Sequence, residues 1–309
     1  MAVHALSRNF QSFFGRLNPG TSFVQTASRE HETITGLIED PNGQASVLSP
    51  HCFLQGSYKQ DTAIHTINDV DIVALCNLSQ PGSQGGGRSY NRDEIFGIIA
   101  APLLADRRYR DKIRYDAGSM CIKVDLGIKV EILPVVYKAG TSDQDAEPFR
   151  LYRPETHQWE DGYARYHQGW LTNKNANTDG NFIPMIKVLK HLRAIHNISS
   201  VSFHIESLLF RLPDSIFAGA PSEYILHVLN YIASYTADAW YNTDIRTPCG
   251  DRNIFTPAEW PLESWRSFHA FVKVCADGAK TAATALPKDL AVRTWKILLG
   301  DSYFPADVT

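Results

Sequence analysis

Residues 56–73 read Gly-Ser-Tyr-Lys-Gln-Asp-Thr-Ala-Ile-His-Thr-Ile-Asn-Asp-Val-Asp-Ile-Val, and two parts of that run could do chemistry together. Asp69 and Asp71 flank Val70. On a strand successive side chains alternate faces, so the two carboxylates project together while Val70 and Ile72 turn into a core. Like charges this close raise one another's pKa unless a cation neutralises them, and Mg²⁺ prefers oxygen ligands. Alone, the pair would read as two solvated aspartates at a strand end. Gly56 and Ser57 alter the balance, because glycine has no Cβ to hold a phosphate off the backbone and a serine hydroxyl can donate to its oxygens. Eleven residues separate Ser57 from Asp69. Farther along, Lys187 and Lys190 stand at i and i+3 on a helical pattern, where they could face a polyphosphate together or form an ordinary solvated basic face.

The Gly-Ser turn followed by Asp-Val-Asp resembles the hG[GS]-x(9–13)-DhD pattern of the polymerase-β-type nucleotidyltransferases. With Gly56-Ser57-Tyr58-Lys59, Thr62-Ala63-Ile64 and Asn68-Asp69-Val70-Asp71-Ile72, the resemblance narrows to the bacterial cGAS/DncV-like nucleotidyltransferases, the CD-NTases, over residues 10–210. It implies a third carboxylate from a neighbouring strand. Val130-Glu131-Ile132-Leu133-Pro134 resembles the h-[DE]-h-h-P strand that supplies this acid, with Glu where Asp is common; Asp125, beside the Leu126-Gly127 turn, is the alternative. Lys190, followed by Ser202-Phe203-His204-Ile205-Glu206-Ser207-Leu208, resembles the opening of the family's helical lobe. Gln60 and Asp61 depart from the basic or small residues found there.

The resemblance implies two Mg²⁺ ions, with Mn²⁺ able to substitute, held by Asp69, Asp71 and Glu131. It implies nucleoside triphosphate substrates oriented by Gly56, Ser57, Lys59, Lys187 and Lys190. The reaction would join them with release of pyrophosphate and close a cyclic di- or trinucleotide second messenger, which in bacterial anti-phage signalling activates a separate effector protein. The rival readings are a template-free transferase acting on a protein, RNA or small molecule, and a nucleotide-binding sensor without turnover. The intact Asp69 and Asp71 stand against the sensor. Asn173, Asn175, Asn177 and Asn181 could meet base edges or simply make turns, and Tyr163, Tyr166 and Trp170 could stack on a base or pack in a core.

The elements that must position these residues follow from periodicity. Apolar residues Phe10, Phe13, Phe14 and Leu17 mark a short helix. Val24, Ala27, His31, Ile34 and Ile38 mark a second, which Ser22 could cap. Residues 47–54, 70–75, 120–125 and 128–136 are β-type runs, and 91–104 is a helix after a glycine-containing connector over 80–90. Residues 139–180 are polar and read as a crossing. Runs 182–195, 203–212, 223–240, 261–276 and 290–299 carry helical spacing. The expected fold is α+β and bilobed: a polymerase-β-like nucleotidyltransferase core of mixed sheet and helices over 1–150, and a helical C-terminal lobe over 151–309 closing a nucleotide cleft.

Composition agrees with two structural units, since 309 residues exceed what one compact core usually needs. Hydrophobic residues at 44% exclude a disordered or low-complexity chain. Thirty Lys and Arg against 33 Asp and Glu give −3, so no global basic excess argues for capture of long nucleic acid. Five scattered cysteines without a CxxC pair fit reduced thiols rather than disulfides or structural zinc. With no signal-peptide pattern and no apolar run of the ~18 residues that a bilayer needs, the expectation is a cytoplasmic protein without membrane contact.

Overall fold

The computed structural model describes residues 2–77, 90–138 and 147–306. Apart from Tyr90, the polar connector over 80–90 lies outside the described residues. The first helix, α1 (Ser7–Leu17), is followed by α2 (Thr21–Ile38), β1 (His51–Gln55), the single turn α3 (Gly56–Lys59) and β2 (Asp69–Cys76). Then come α4 (Arg92–Ala105), β3 (Ile113–Arg114), β4 (Ile122–Asp125), β5 (Lys129–Tyr137), β6 (Phe149–Arg153) and β7 (Gln158–Gly162). Helices complete the chain: α5 (Ala164–Asn177), α6 (Phe182–Ile195), α7 (Ser202–Arg211), α8 (Pro221–Ala233), α9 (Ala237–Tyr241), α10 (Leu262–Thr284) and α11 (Lys288–Leu299).

From sequence the units divide at 150, but packing interleaves them. One unit comprises Gly20–Asp61 and Ile67–Gln168; the other comprises Met1–Pro19, Thr62–Thr66 and Gly169–Thr309. Helix α1 joins the second because its apolar face has ring partners there. Phe10 meets Trp295 edge-on at 5.1 Å and Phe304 at 5.0 Å, and Asn9 Nδ2 donates to the Pro305 carbonyl at 3.0 Å. Periodicity shows which face of a helix is buried, not which distant rings will cover it.

The first unit is built on a mixed sheet in the order β1-β2-β5-β4-β3, with β2 and β5 parallel and β6 and β7 extending it beyond β5. One face is covered by α2 and α4: Val70, Ile72 and Ala74 of β2 and Val130, Ile132 and Val136 of β5 pack with Ala27, Ile34, Ile95, Phe96 and Ile99. Helix α4 begins in a capping box, in which Asn91 Oδ1 accepts from Glu94 N and Glu94 Oε2 accepts from Asn91 N, both at 2.9 Å. On the other face the same strands change character along their length. Val73, Leu75, Leu133, Val135 and Tyr137 form a small buried cluster with Phe149 and Leu151. Asp69, Asp71 and Glu131 precede them at the same parity and remain partly exposed. That face is therefore apolar at the strand C-termini and acidic at the N-termini.

Local departures from the sequence expectations have physical causes. Strands β6 and β7 lie inside the supposed crossing, disguised by charge: Arg150 pairs with Asp161 at 2.7 Å across the hairpin, and Lys138, just past β5, pairs with the same Asp161 at 3.0 Å. The run 223–240 is two helices, because Thr236 Oγ1 accepts from Ala239 N at 3.1 Å and starts α9 anew. At α2 the N-cap is Gly20, not Ser22. The run 47–54 opens as a single 3₁₀ turn, Ser46–Leu48, before Pro50, and only then becomes β1. Among the described residues, no helix is long and apolar enough to cross a membrane.

The second unit surrounds one large aromatic and aliphatic core in which Phe10 is fully buried. Phe10→Ala is expected to lower unfolding stability by about 3–5 kcal/mol, the usual cost of truncating a buried phenylalanine. Chemical denaturation monitored by tryptophan fluorescence checks this.

Candidate active site

The parallel register of β2 and β5 sets Asp71 beside Glu131 and Asp69 beside Lys129. On the far side of β5, β4 sets Lys123 beside Glu131 and Asp125 beside Lys129. On the near side, β1 pairs Gln55 with Asp71, so the next residue, Gly56, arrives against the Asp71 carboxylate. A Cβ on Gly56 would stand 1.9 Å from Asp71 Oδ2 and 2.9 Å from its Cγ. Gly56 also has φ +72°, a left-handed conformation that side chains disfavour. Glycine is thus required twice over, by the turn and by the acid behind it.

The electrostatics follow from that crowding. Burial first, then Asp69, then Glu131 push the Asp71 pKa from 3.8 to about 7, and each of these causes acts in the same direction. A proton or a cation is what relieves it. Glu131 is partly satisfied by neighbours: its Oε1 lies 3.4 Å from Lys123 Nζ, and its Oε2 accepts from Cys121 Sγ at 3.5 Å. Burial and the Glu131 charge hold the Cys121 thiol up at about 12, so the sulfur remains a donor. Turned this way, Glu131 does not close a cage: among the described residues no three acids, histidines or cysteines converge on a metal position as they stand. The chemistry of the donor set nevertheless suits a hard divalent cation. Asp69 and Asp71 lie at the same parity of β2, with the Gly56 backbone against Asp71, and Glu131 stands beside Asp71 in register.

Of the two proposed third acids, Glu131 neighbours Asp71 in register, whereas Asp125 is exposed one strand farther out and accepts from Gly127 N at 3.4 Å. Ser57 and Lys59 ride on the single turn α3, Ser57 half-buried and Lys59 exposed. The two helix lysines, expected to orient the triphosphate, are buried and do not form a solvated basic face. Lys187 Nζ donates to Asn18 Oδ1 at 2.9 Å, and Lys190, only 2% exposed, pairs with Glu206 at 2.5 Å, all inside the second unit. Two of the four asparagines make structural contacts: Asn175 Oδ1 accepts from Ile183 N, and Asn181 Nδ2 donates to the Phe217 carbonyl, each at 2.9 Å, while Asn173 and Asn177 are exposed. Tyr163 and Tyr166 stack on one another at 6.4 Å, while Trp170 meets Phe210 edge-on. Cys121 and Lys123, which hold Glu131, escaped sequence reasoning. The parity of β4 carried the Lys123 signal once its register was known.

Comparisons with known proteins bear on this geometry. A family model described as Second Messenger Oligonucleotide or Dinucleotide Synthetase domain matches residues 4–175, and one described as cGAS/DncV-like nucleotidyltransferase C-terminal helical domain matches 170–275. The chain is 24% identical over 268 residues to a cyclic UMP-AMP synthase of Rhodothermus marinus, covering 79% of this chain and 89% of that protein. It is 23% identical over 320 residues to a cyclic AMP-AMP-AMP synthase of an Acinetobacter species, covering 97% and 86%. In fold it resembles the Vibrio cholerae cyclic AMP-GMP synthase DncV in complex with nonhydrolyzable GTP, with TM-score 0.73 at 11% identity, over 99% of this chain and 97% of that one.

Two expectations come from the site itself. Gly56→Ala should displace Asp71 and reduce turnover by at least about 100-fold, with no more than the few kcal/mol of destabilisation that strained backbone costs; steady-state kinetics and thermal melts separate the two effects. Because the folded Asp71 pKa of about 7 lies above the unfolded 3.8, the folded state holds the extra proton between those values. Stability of the metal-free protein therefore falls as pH rises through that window. Asp71→Asn should raise the metal-free melting temperature at pH 8, with the gain vanishing near pH 4.

Proposed function

The chain belongs to the second messenger oligonucleotide or dinucleotide synthetases, the bacterial cGAS/DncV-like nucleotidyltransferases, and from that we propose that it joins nucleoside triphosphates and closes the product into a cyclic oligonucleotide second messenger. The single observation that best supports the assignment of the site is that Asp69, Asp71 and Glu131 share one sheet face, with the backbone of Gly56 against Asp71.

Asp69 and Asp71 would hold the divalent cations, with Glu131 joining when its carboxylate leaves Lys123. We assign two Mg²⁺ ions, replaceable by Mn²⁺; once bound, such ions lower the pKa of an attacking hydroxyl and neutralise charge on departing pyrophosphate. The protein's own part is positioning. Gly56 lets the turn approach the phosphates without a Cβ in the way, the Ser57 hydroxyl donates to a phosphate oxygen, and the exposed Lys59 ammonium offsets its charge. The apolar half of the face, from Val73 to Tyr137, anchors β2 and β5 so that the acids need not reorganise during reaction. Lys187 and Lys190, whose amines have partners inside the second unit, would have to exchange those partners to contact the phosphates.

Making a ring requires one phosphodiester bond per nucleotide, two for a dinucleotide and three for a trinucleotide, each releasing pyrophosphate. For a dinucleotide, after the first, the linear intermediate presents its remaining triphosphate to the same turn and acids, and its own free hydroxyl is the second nucleophile. The product would act on a separate effector protein in anti-phage signalling, and the enzyme would work in the cytoplasm.

Incubation of the purified protein with the four NTPs and Mg²⁺ or Mn²⁺ is expected to yield a phosphatase-resistant species, whose bases mass spectrometry names. Asp69→Ala with Asp71→Ala should eliminate it and leave the circular dichroism spectrum unchanged. A product that phosphatase degrades fully, or one attached to an added protein or RNA, would assign a transferase instead.

A further inference from the structure

Across the acidic face the strand register lines up one row of charges, all within the sheet unit. Glu131 of β5 has Asp71 beside it on β2 and Lys123 beside it on β4. Beyond Lys123, β3 sets Arg114 in register. From β2 to β3 the row therefore reads acid, acid, base, base. Like charges facing one another across neighbouring strands repel, so Asp71 presses the Glu131 carboxylate toward β4, and Arg114 presses the Lys123 ammonium toward β5. The two meet: Lys123 Nζ lies 3.4 Å from Glu131 Oε1.

The other carboxylate oxygen is held from the same side. Cys121 immediately precedes β4 at the parity of Lys123, and its thiol donates to Glu131 Oε2 at 3.5 Å. The cysteine is buried, so the thiol has no solvent to turn to instead. Each oxygen of Glu131 is thus engaged by a side chain on its β4 side, while Asp69 and Asp71 lie on its β2 side. This is why, among the described residues, no three acids converge on a metal position. In this row the lysine is a tethered monovalent cation, and a divalent one must displace it to gain the third acid.

We propose that Lys123 and Cys121 are positioning residues of the third acid: they hold the Glu131 carboxylate toward β4 and release it when a divalent cation binds, with Lys123 competing directly against that cation. This role rests on the cation assignment made above, so the test reads cation binding without turnover.

The experiment titrates the full chain with Mn²⁺ in the absence of nucleotide and follows free Mn²⁺ by electron paramagnetic resonance. Lys123 is 59% exposed and exposed ion pairs are weak, so Lys123→Met is expected to tighten Mn²⁺ binding by only about threefold to fivefold, whereas Lys123→Arg, which keeps the pair, stays within about 1.5-fold of wild type. In a Glu131→Gln background Lys123→Met should change the affinity by less than about 1.5-fold, since the lysine acts through Glu131. Cys121 supplies a separate signature. Its S–H stretching band, identified by its loss in Cys121→Ala, is expected to move to higher frequency when Mg²⁺ is added, because the thiol loses its acceptor; an unmoved band would remove Cys121 from the proposal. Unchanged or weaker Mn²⁺ binding in Lys123→Met would overturn the role of the lysine. So would a tightening that persists in full with Glu131→Gln, which would make Lys123 a diffuse surface charge. Mn²⁺ binding that Asp69→Ala with Asp71→Ala does not weaken would sink the cation assignment together with this proposal. A wild type that joins no NTPs would count against the proposed function, while the cation readouts would still decide the role of Lys123.

Discussion

Carboxylates that cannot all ionise comfortably without a cation are the constraint around which the sheet unit is arranged. Asp71 sits between Asp69, one strand step away, and Glu131, its register neighbour, with the Gly56 backbone closing the remaining side. Had the acids been solvated, their repulsion would be screened and their pKa values ordinary. Partial burial makes it felt, and pushes Asp71 toward neutrality at physiological pH. A fold does not gain stability from such an arrangement, so the apolar half of the same face, with Val73, Leu75, Leu133 and Val135, must offset it. The strain is local and the compensation lies farther along the same two strands, which ties the geometry of the acids to the integrity of the core.

The helical unit solves a different electrostatic problem. Lys190, Glu206, Thr62 and His191 lie within a predominantly apolar interior, where an unpaired charge or donor would be costly. Here the ammonium hydrogens, the threonine hydroxyl and the histidine nitrogens all have partners. A satisfied network of this kind fixes one arrangement of the chain, because any displacement of residues 62–66 leaves several groups unpaired at once. Replacing it with aliphatic side chains would fill the space equally well and specify the path of that segment less sharply.

Much of this was legible from sequence, and the exceptions share a cause. The alternation Asp69-Val70-Asp71 and the Gly56-Ser57 turn announced the acidic strand end and the close approach of backbone, because both signals are local. The helices from 182 onward declared themselves by periodicity. What failed to show was anything decided by a partner far along the chain. Strands β6 and β7 looked like a polar crossing because their exposed side chains pair across the hairpin. That helix α1 packs with the helical unit was not legible because its ring partners, Trp295 and Phe304, are nearly 300 residues away in sequence. The burial of Lys190 was not legible because a lysine on a helix is read as exposed unless its buried partner is known. Glu206 stood in plain view sixteen residues on, in Ser-Phe-His-Ile-Glu-Ser-Leu, but helical spacing alone did not place it against Lys190.

Fold likeness at low identity says little about chemistry by itself. Apolar patterning and approximate volume are enough to conserve an architecture while most residue identities change, and one architecture serves many reactions. The weight of the functional assignment therefore falls on features that the architecture does not need. A polymerase-β-like sheet would pack as well with asparagines at 69 and 71 and with alanine in a relaxed turn at 56; by the electrostatic argument it would pack better. That the chain instead crowds two acids on one strand end, one of them against a left-handed glycine, at a cost to its own stability, is what the proposed arrival of a divalent cation with a phosphate group would explain.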